Sequence, residues 1–218
     1  MTWNFSMKQY KDPTKNAVRN VLEPALAEKG FVRSKEKDFF RIRGALLDNI
    51  YFGFGRWGSE VIYIYYSVHL VEDPVTSIDT YNVGGRLSAS WFPKDHEAAI
   101  ESARKILKDI EKSAMAWFEE VDSVEKLEGA WYDSGSTSAF TAIALNDLGR
   151  ARIYLADSIA RKAPLIYESG YPGWRENESG IDGERVEILQ EALEAIDTGK
   201  IDSWKEKVRD KKLSKLGI

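Results

Sequence analysis

The stretch "VIYIYYSVHL" (residues 61–70) alternates without a break. Ile62, Ile64, Tyr66, Val68 and Leu70 share one parity; Val61, Tyr63, Tyr65, Ser67 and His69 share the other. In an extended chain successive side chains point to opposite faces, so the first set predicts a strand with a core face. The second set leaves a face of tyrosines, a serine and a histidine. What covers that face decides what the fold can do.

Two runs upstream repeat the alternation. In "DFFRIRGAL" (38–46), Phe40, Ile42 and Leu46 are set against Phe39, Arg41 and Arg43; in "DNIYFGFG" (48–55), Ile50, Phe52 and Phe54 are set against Tyr51, Gly53 and Gly55. Short connections between such runs predict an antiparallel meander. The register of the second hairpin follows from parity. A three-residue loop at Trp57-Gly58-Ser59 pairs Phe54 with Ile62 and Phe52 with Ile64, whereas a two-residue loop would mix the faces. Gly58 supplies the left-handed residue such loops favour. The same register sets Gly53 opposite Tyr63 and Tyr51 opposite Tyr65, laying a tyrosine ring over a strand glycine. After the loop "VEDPVTSIDTYNVGG" (71–85), a fourth strand is predicted at "GRLSASWF" (85–92), with Leu87, Ala89 and Trp91 set against Arg86, Ser88 and Ser90.

Helices flank this ribbon. Asp12-Pro13 combines a carboxylate cap with a proline at the first helical position, and Val18, Val21, Leu22 and Ala25 come after it at helical spacing. Gly30 ends the run, and Pro24 inside it predicts a kink or a division. Residues 95–121 carry an apolar stripe from Ala99 and Ile100 to Phe118 and Val121, the natural lid for the core face. "GAWYDSGST" (129–137) is a break ending in capping residues. A helix is then predicted over about 138–162, a long loop over 163–183, and two shorter helices on Val186–Ile196 and Ile201–Val208. The expected fold is α+β: a four-stranded antiparallel meander packed on one face by two helices (residues 1–128), with an all-helical extension (129–218) packed on it as one structural unit.

Composition narrows the chemistry. A chain of 218 residues with 43% hydrophobic and 30% charged residues can bury a real core. The absence of cysteine excludes disulfides, thiolate metal sites and cysteine nucleophiles together, and two histidines cannot build a histidine-rich metal centre. No apolar run reaches the roughly 20 residues that span a bilayer. The start "MTWNFSMKQYKDPTKN" lacks the basic-then-apolar layout of a signal peptide. The expectation is a cytoplasmic protein with no membrane contact, no cofactor and no metal. A net charge of −4 speaks against nucleic acid as a partner, although residues 200–215 gather seven lysines and arginines from Lys200 to Lys215.

No catalytic constellation emerges. "GFGRWG" (53–58) reads as a hairpin and no helix succeeds it; "DSGSTS" (133–138) reads as helix capping. No catalytic residue is therefore expected. The binding candidates are Arg41, Arg43, Tyr63, Tyr65, His69 and Arg86 on the off-core sheet face, because Arg and Tyr combine large area with directed hydrogen bonds. Glu119, Glu120 and Asp122 form a second candidate, an acidic patch for a basic partner. Against the first set stands a C-terminal helix laid over the same face as a wetter second core, or an ordinary solvated face; against the second, a solvated helix end. The alternative to a protein-binding surface is a pocket between sheet and C-terminal helices, in a small-ligand-binding protein or an enzyme, where Arg41, Arg43, Tyr63, Tyr65, His69 and Arg86 would hold an anionic ligand.

"NVLEPALAEKGF", "DFFRIRG", "DNIYFGFGRWGSEVIYIYYSVHL" and "GGRLSASWF" before a long helix together resemble an uncharacterised bacterial family known as a domain of unknown function. The shared elements are a helix ending in Gly30-Phe31, an aromatic-plus-arginine strand at Phe39, Phe40 and Arg41, and an aromatic meander. The resemblance covers roughly residues 14–120 and implies a small cytoplasmic α+β protein. It brings no catalytic residue with it. In type the chain is also similar to immunity proteins of bacterial toxin systems, which need only a rigid scaffold with aromatic anchors and complementary charge. That similarity implies a non-enzymatic protein-binding module that occludes a toxin.

Overall fold

The computed structural model describes residues 12–34, 38–54, 61–74, 84–87, 90–91, 95–130, 135–168 and 175–218. Its class is α+β with an antiparallel sheet, as expected from the alternating runs. The strands are β1 (Val32–Arg33), β2 (Phe39–Arg43), β3 (Leu46–Phe54), β4 (Val61–Leu70), β5 (Gly84–Arg86) and β6 (Ser90–Trp91). They run in the order β1-β2-β3-β4-β5, with β6 also paired to β4. The β3–β4 register is the one parity required: Phe54 faces Ile62, Phe52 faces Ile64, Gly53 faces Tyr63 and Tyr51 faces Tyr65. The turn argued for this hairpin lies outside the described residues.

The first hairpin departs from expectation. Arg43 pairs directly with Leu46, so the connection is the two-residue turn Gly44-Ala45, with Gly44 at φ 62°. A two-residue turn reverses numerical parity between the strands it joins. Arg41 therefore lies opposite Asp48, which lies opposite Val68. Phe39, Arg41 and Arg43 face the main core with Ile50 and Leu46, while Phe40 and Ile42 join Leu47, Asn49 and His69 on the second face. Arg41 and Arg43 are thus parted from Tyr63, Tyr65 and His69.

The four-strand count is also revised. The fourth strand predicted over 85–92 is divided into β5 and β6 along one edge of β4, and β1 adds a short strand at the opposite edge.

The helices are α1 (residues 13–27), α2 (96–120), α3 (Val124–Ala130), α4 (Gly135–Ala144), α5 (Leu148–Glu168), α6 (Arg175–Asp197) and α7 (Ile201–Leu216). Asp12 caps α1 by accepting from the Thr14 and Lys15 amides, and Pro13 comes next. Pro24 lies where the helix changes type: a π-helical segment, Val18–Leu22, precedes it, and α-helix resumes over Glu23–Ala27 with Pro24 in its first turn. A second π segment, Ile110–Met115, sits in α2.

The single helix predicted over 138–162 is interrupted at Asn146, which adopts φ 59°, and Asp147 caps α5 by accepting from the Arg150 amide. The loop predicted over 163–183 is instead helical at both ends, with 169–174 outside the described residues. Among the described residues no helix is long and apolar enough to cross a membrane.

One apolar cluster joins both halves. It holds Leu22 and Leu26 of α1, Phe39, Ile50, Ile64 and Val68 of the sheet, Ala103, Ile110 and Phe118 of α2, and Phe140, Leu155, Leu189 and Trp204 of the later helices. The Phe140 and Trp204 rings stack at 6.1 Å and 7°. A separate small cluster of Phe40, Leu47, Val71 and Leu216, flanked by Ile42 and Leu213, lies on the second face. The end of α7 therefore covers one end of that face, and the tyrosines occupy the other.

Candidate functional site

Strand parity carries Tyr63 and Tyr65 to the second face, and the β3 and β5 registers bring Tyr51 and Arg86 against Tyr65. Tyr51 and Tyr65 stack at 5.8 Å and 29°, and Tyr63 lies 6.4 Å from Tyr65. The Arg86 guanidinium carbon sits 5.2 Å from the Tyr63 ring centre. Gly53 makes the ledge possible. A Cβ there would stand 3.1 Å from Tyr65 Cε2 and 3.3 Å from Tyr51 Cε1, inside ordinary contact. The rings are half-buried and Arg86 is exposed. An exposed guanidinium over a ring offers N–H donors that suit a carboxylate. The result is an aromatic surface with a cation at its rim.

Arg41 and Arg43 do something else. Both grip Asp48, whose side chain is fully buried: Arg41 donates from Nε (2.8 Å) and Nη2 (2.7 Å), Arg43 from Nε and Nη2 (each 2.7 Å). Arg41 also donates to the Lys29 carbonyl (3.2 Å) and lies over the Phe31 and Phe118 rings; Arg43 donates to the Val121 carbonyl (2.9 Å). These contacts tie the sheet to the ends of α1 and α2. The arginines are consumed by the fold, and the six side chains expected around one anion are divided between two faces.

His69 is buried with Ser67, whose Oγ lies 2.7 Å from His69 Nε2, while Nδ1 has no hydrogen-bond partner among the described residues. Burial first, and then the nearby Lys212 charge, push the imidazole down to about 3, so it is neutral at pH 7. Lys212 is itself buried and donates to the Leu70 and Asp73 carbonyls (2.7 and 2.8 Å). Burial pulls its ammonium down to about 8, against the attraction of Asp73 and with the repulsion of Lys215. The Ser67–His69 spacing is that of a nucleophile and its base. Both groups are closed off from solvent, and no described residue orients Nδ1.

The acidic stretch is only partly free. Glu119 and Glu120 are exposed at the end of α2, but Asp122 pairs with Lys126 at 3.0 Å. Glu128 bridges to Arg150 at 3.0 Å. Through Val121 this stretch adjoins Arg43, on the core side of the sheet.

Sequence reasoning passed over two members of these arrangements, and both left a signal. Asp48 shares parity with Ile50 and Phe52, and a charge at a core position of a strand announces a buried ion pair. Lys212 continues the buried row Ile201, Trp204, Val208, where the next step should be apolar.

No family model, no curated protein and no solved structure matches this chain.

Proposed function

We propose that the chain is a non-enzymatic protein-binding module, acting in a bacterial cytoplasm as an immunity-type inhibitor that occludes a toxin domain. Its contact surface is the ledge of Tyr51, Tyr63, Tyr65 and Arg86. One observation carries this reading: three neighbouring tyrosine rings and an exposed guanidinium over one of them on a sheet face, the residue types that anchor protein interfaces. The anchors are held in place by strand pairing, so little ordering cost opposes binding.

The test places a photo-crosslinking residue at Tyr63 and, as a control, at Ile153, an exposed apolar position on α5. Capture of one protein from the native host at Tyr63 and not at Ile153 is expected. That protein should arrest growth when expressed alone and be neutralised by this chain. With the purified pair, Tyr63→Ala or Arg86→Ala should weaken binding at least about tenfold, as for an interface anchor. A complex that ignores both changes but loses association rate on Glu119→Lys with Glu120→Lys assigns the acidic end of α2 instead and removes the ledge from the proposal.

A further inference from the structure

We infer that the C-terminal half of α7 is an acid-released clasp: proton uptake at His69 frees residues 209–216 from the sheet while residues 201–208 stay docked. The inference is independent of the tyrosine ledge. It starts from the division of one helix between two cores. Ile201, Trp204 and Val208 belong to the main cluster, whereas Leu213 and Leu216 touch only the small cluster on the second face. Few buried apolar contacts on one segment make it a unit that can open by itself.

The polar attachment of that segment is specific. Lys212 reaches inward to the Leu70 and Asp73 carbonyls, and Arg209 donates to the Gly44 carbonyl at 3.3 Å. His69 shares this buried place. The charged group acting on it is Lys212 from α7, which itself feels Asp73 from the segment after β4 and Lys215 from α7. From β2 and β3 the second face presents Phe40, Ile42, Leu47 and Asn49, and no charge, because Arg41, Arg43 and Asp48 point to the other side. A proton on His69 would place a second cation beside Lys212. Nε2 is already on Ser67, and the N–H at Nδ1 would meet no acceptor among the described residues. Releasing Lys212 to water, and opening His69 to it, relieves both penalties.

The histidine sets the sign. Docked, its pKa is about 3; released, it returns to the ordinary value of 6.5. The released form therefore binds more protons between these values, so docking is fully supported above 6.5 and is lost as pH falls towards 3. Across that window the opening constant rises about tenfold per pH unit. Lys212 works in the same direction, in a higher pH window. Its docked pKa is lowered, so losing its proton above about 8 favours docking, and release belongs to the acid side alone.

Amide hydrogen exchange of the full chain between pH 6.5 and 4.5, corrected for intrinsic rates, reads this out. Protection of 209–216 should fall about tenfold per unit while 201–208 and β3 keep theirs, and His69→Gln should abolish the slope. Loss of protection over 201–208 and β3 in the same step as 209–216 overturns the clasp, as does an unchanged slope in His69→Gln. If His69→Gln does not fold, the wild-type imidazole resonance decides. Proton uptake in step with loss of protection supports the clasp, and uptake with 209–216 still protected refutes it.

Discussion

Asp48 holds two arginines at the centre of the molecule, and its energetics are lopsided. The trio adds little over an apolar replacement, because three charges have been taken from water. Removing one partner is another matter. Asp48→Ala leaves two partly buried guanidiniums, 22% and 24% exposed, facing an empty place on the core side. It should cost about 3–5 kcal/mol, seen as a lowered urea midpoint at unchanged slope. Arg43→Lys should recover only part of the native stability, because one ammonium cannot make the paired contact with Asp48 and still reach the Val121 carbonyl. At this scale the sequence was only half legible. Asp48 sits among core-parity residues and could be recognised as buried, but nothing local said which arginines it holds. That depends on the length of the Gly44-Ala45 turn, where one residue more would send Arg41 and Arg43 to the tyrosine face.

Among the elements, β5 is the most finely balanced. Gly84 lies against the Tyr66 backbone, and a Cβ on Gly84 would run into the Tyr66 carbonyl oxygen. At Gly85 a Cβ would stand 2.5 Å from the Tyr66 hydroxyl. Backbone cannot yield as a side chain can. Gly84→Ala should therefore lift β5 from β4, exposing the Leu87 amide now bonded to the Ile64 carbonyl at 2.8 Å, for about 1–3 kcal/mol. The check is selective loss of exchange protection at Leu87 while β3 keeps its own. Arg86 would then leave its place beside Tyr63, so the same variant also weakens the ledge. The helices show what periodicity can and cannot supply. Apolar spacing found the stripe of α2 but could not foresee its π segment, because five-residue hydrogen bonding leaves no distinct pattern in composition. The break at Asn146-Asp147 did leave a sign: a left-handed asparagine closing one helix and an aspartate capping the next.

For the whole molecule the decisive contact is Phe140 on Trp204, which joins α4 to α7 inside the cluster that also contains the sheet. Trp204→Ala opens a large cavity there and should cost about 3–5 kcal/mol. Because one core serves both halves, circular dichroism of the helices and exchange at β3 should report a single transition in wild type and variant alike. Separate transitions would mean that the helical half folds alone.

Alternation and turn chemistry in "VIYIYYSVHL" and its neighbours were enough to settle the α+β class, the β3–β4 register and the tyrosine row, since each depends on residues close in the chain. The answer to what covers the second face was not local. It required Lys212 and Leu216 to come back across the whole fold to β4, and it required a two-residue turn to send two arginines to the other side. Parity along a strand is a property of the chain; parity between strands and the fit of a distant helix end are set by geometry, and only the folded molecule contains that geometry.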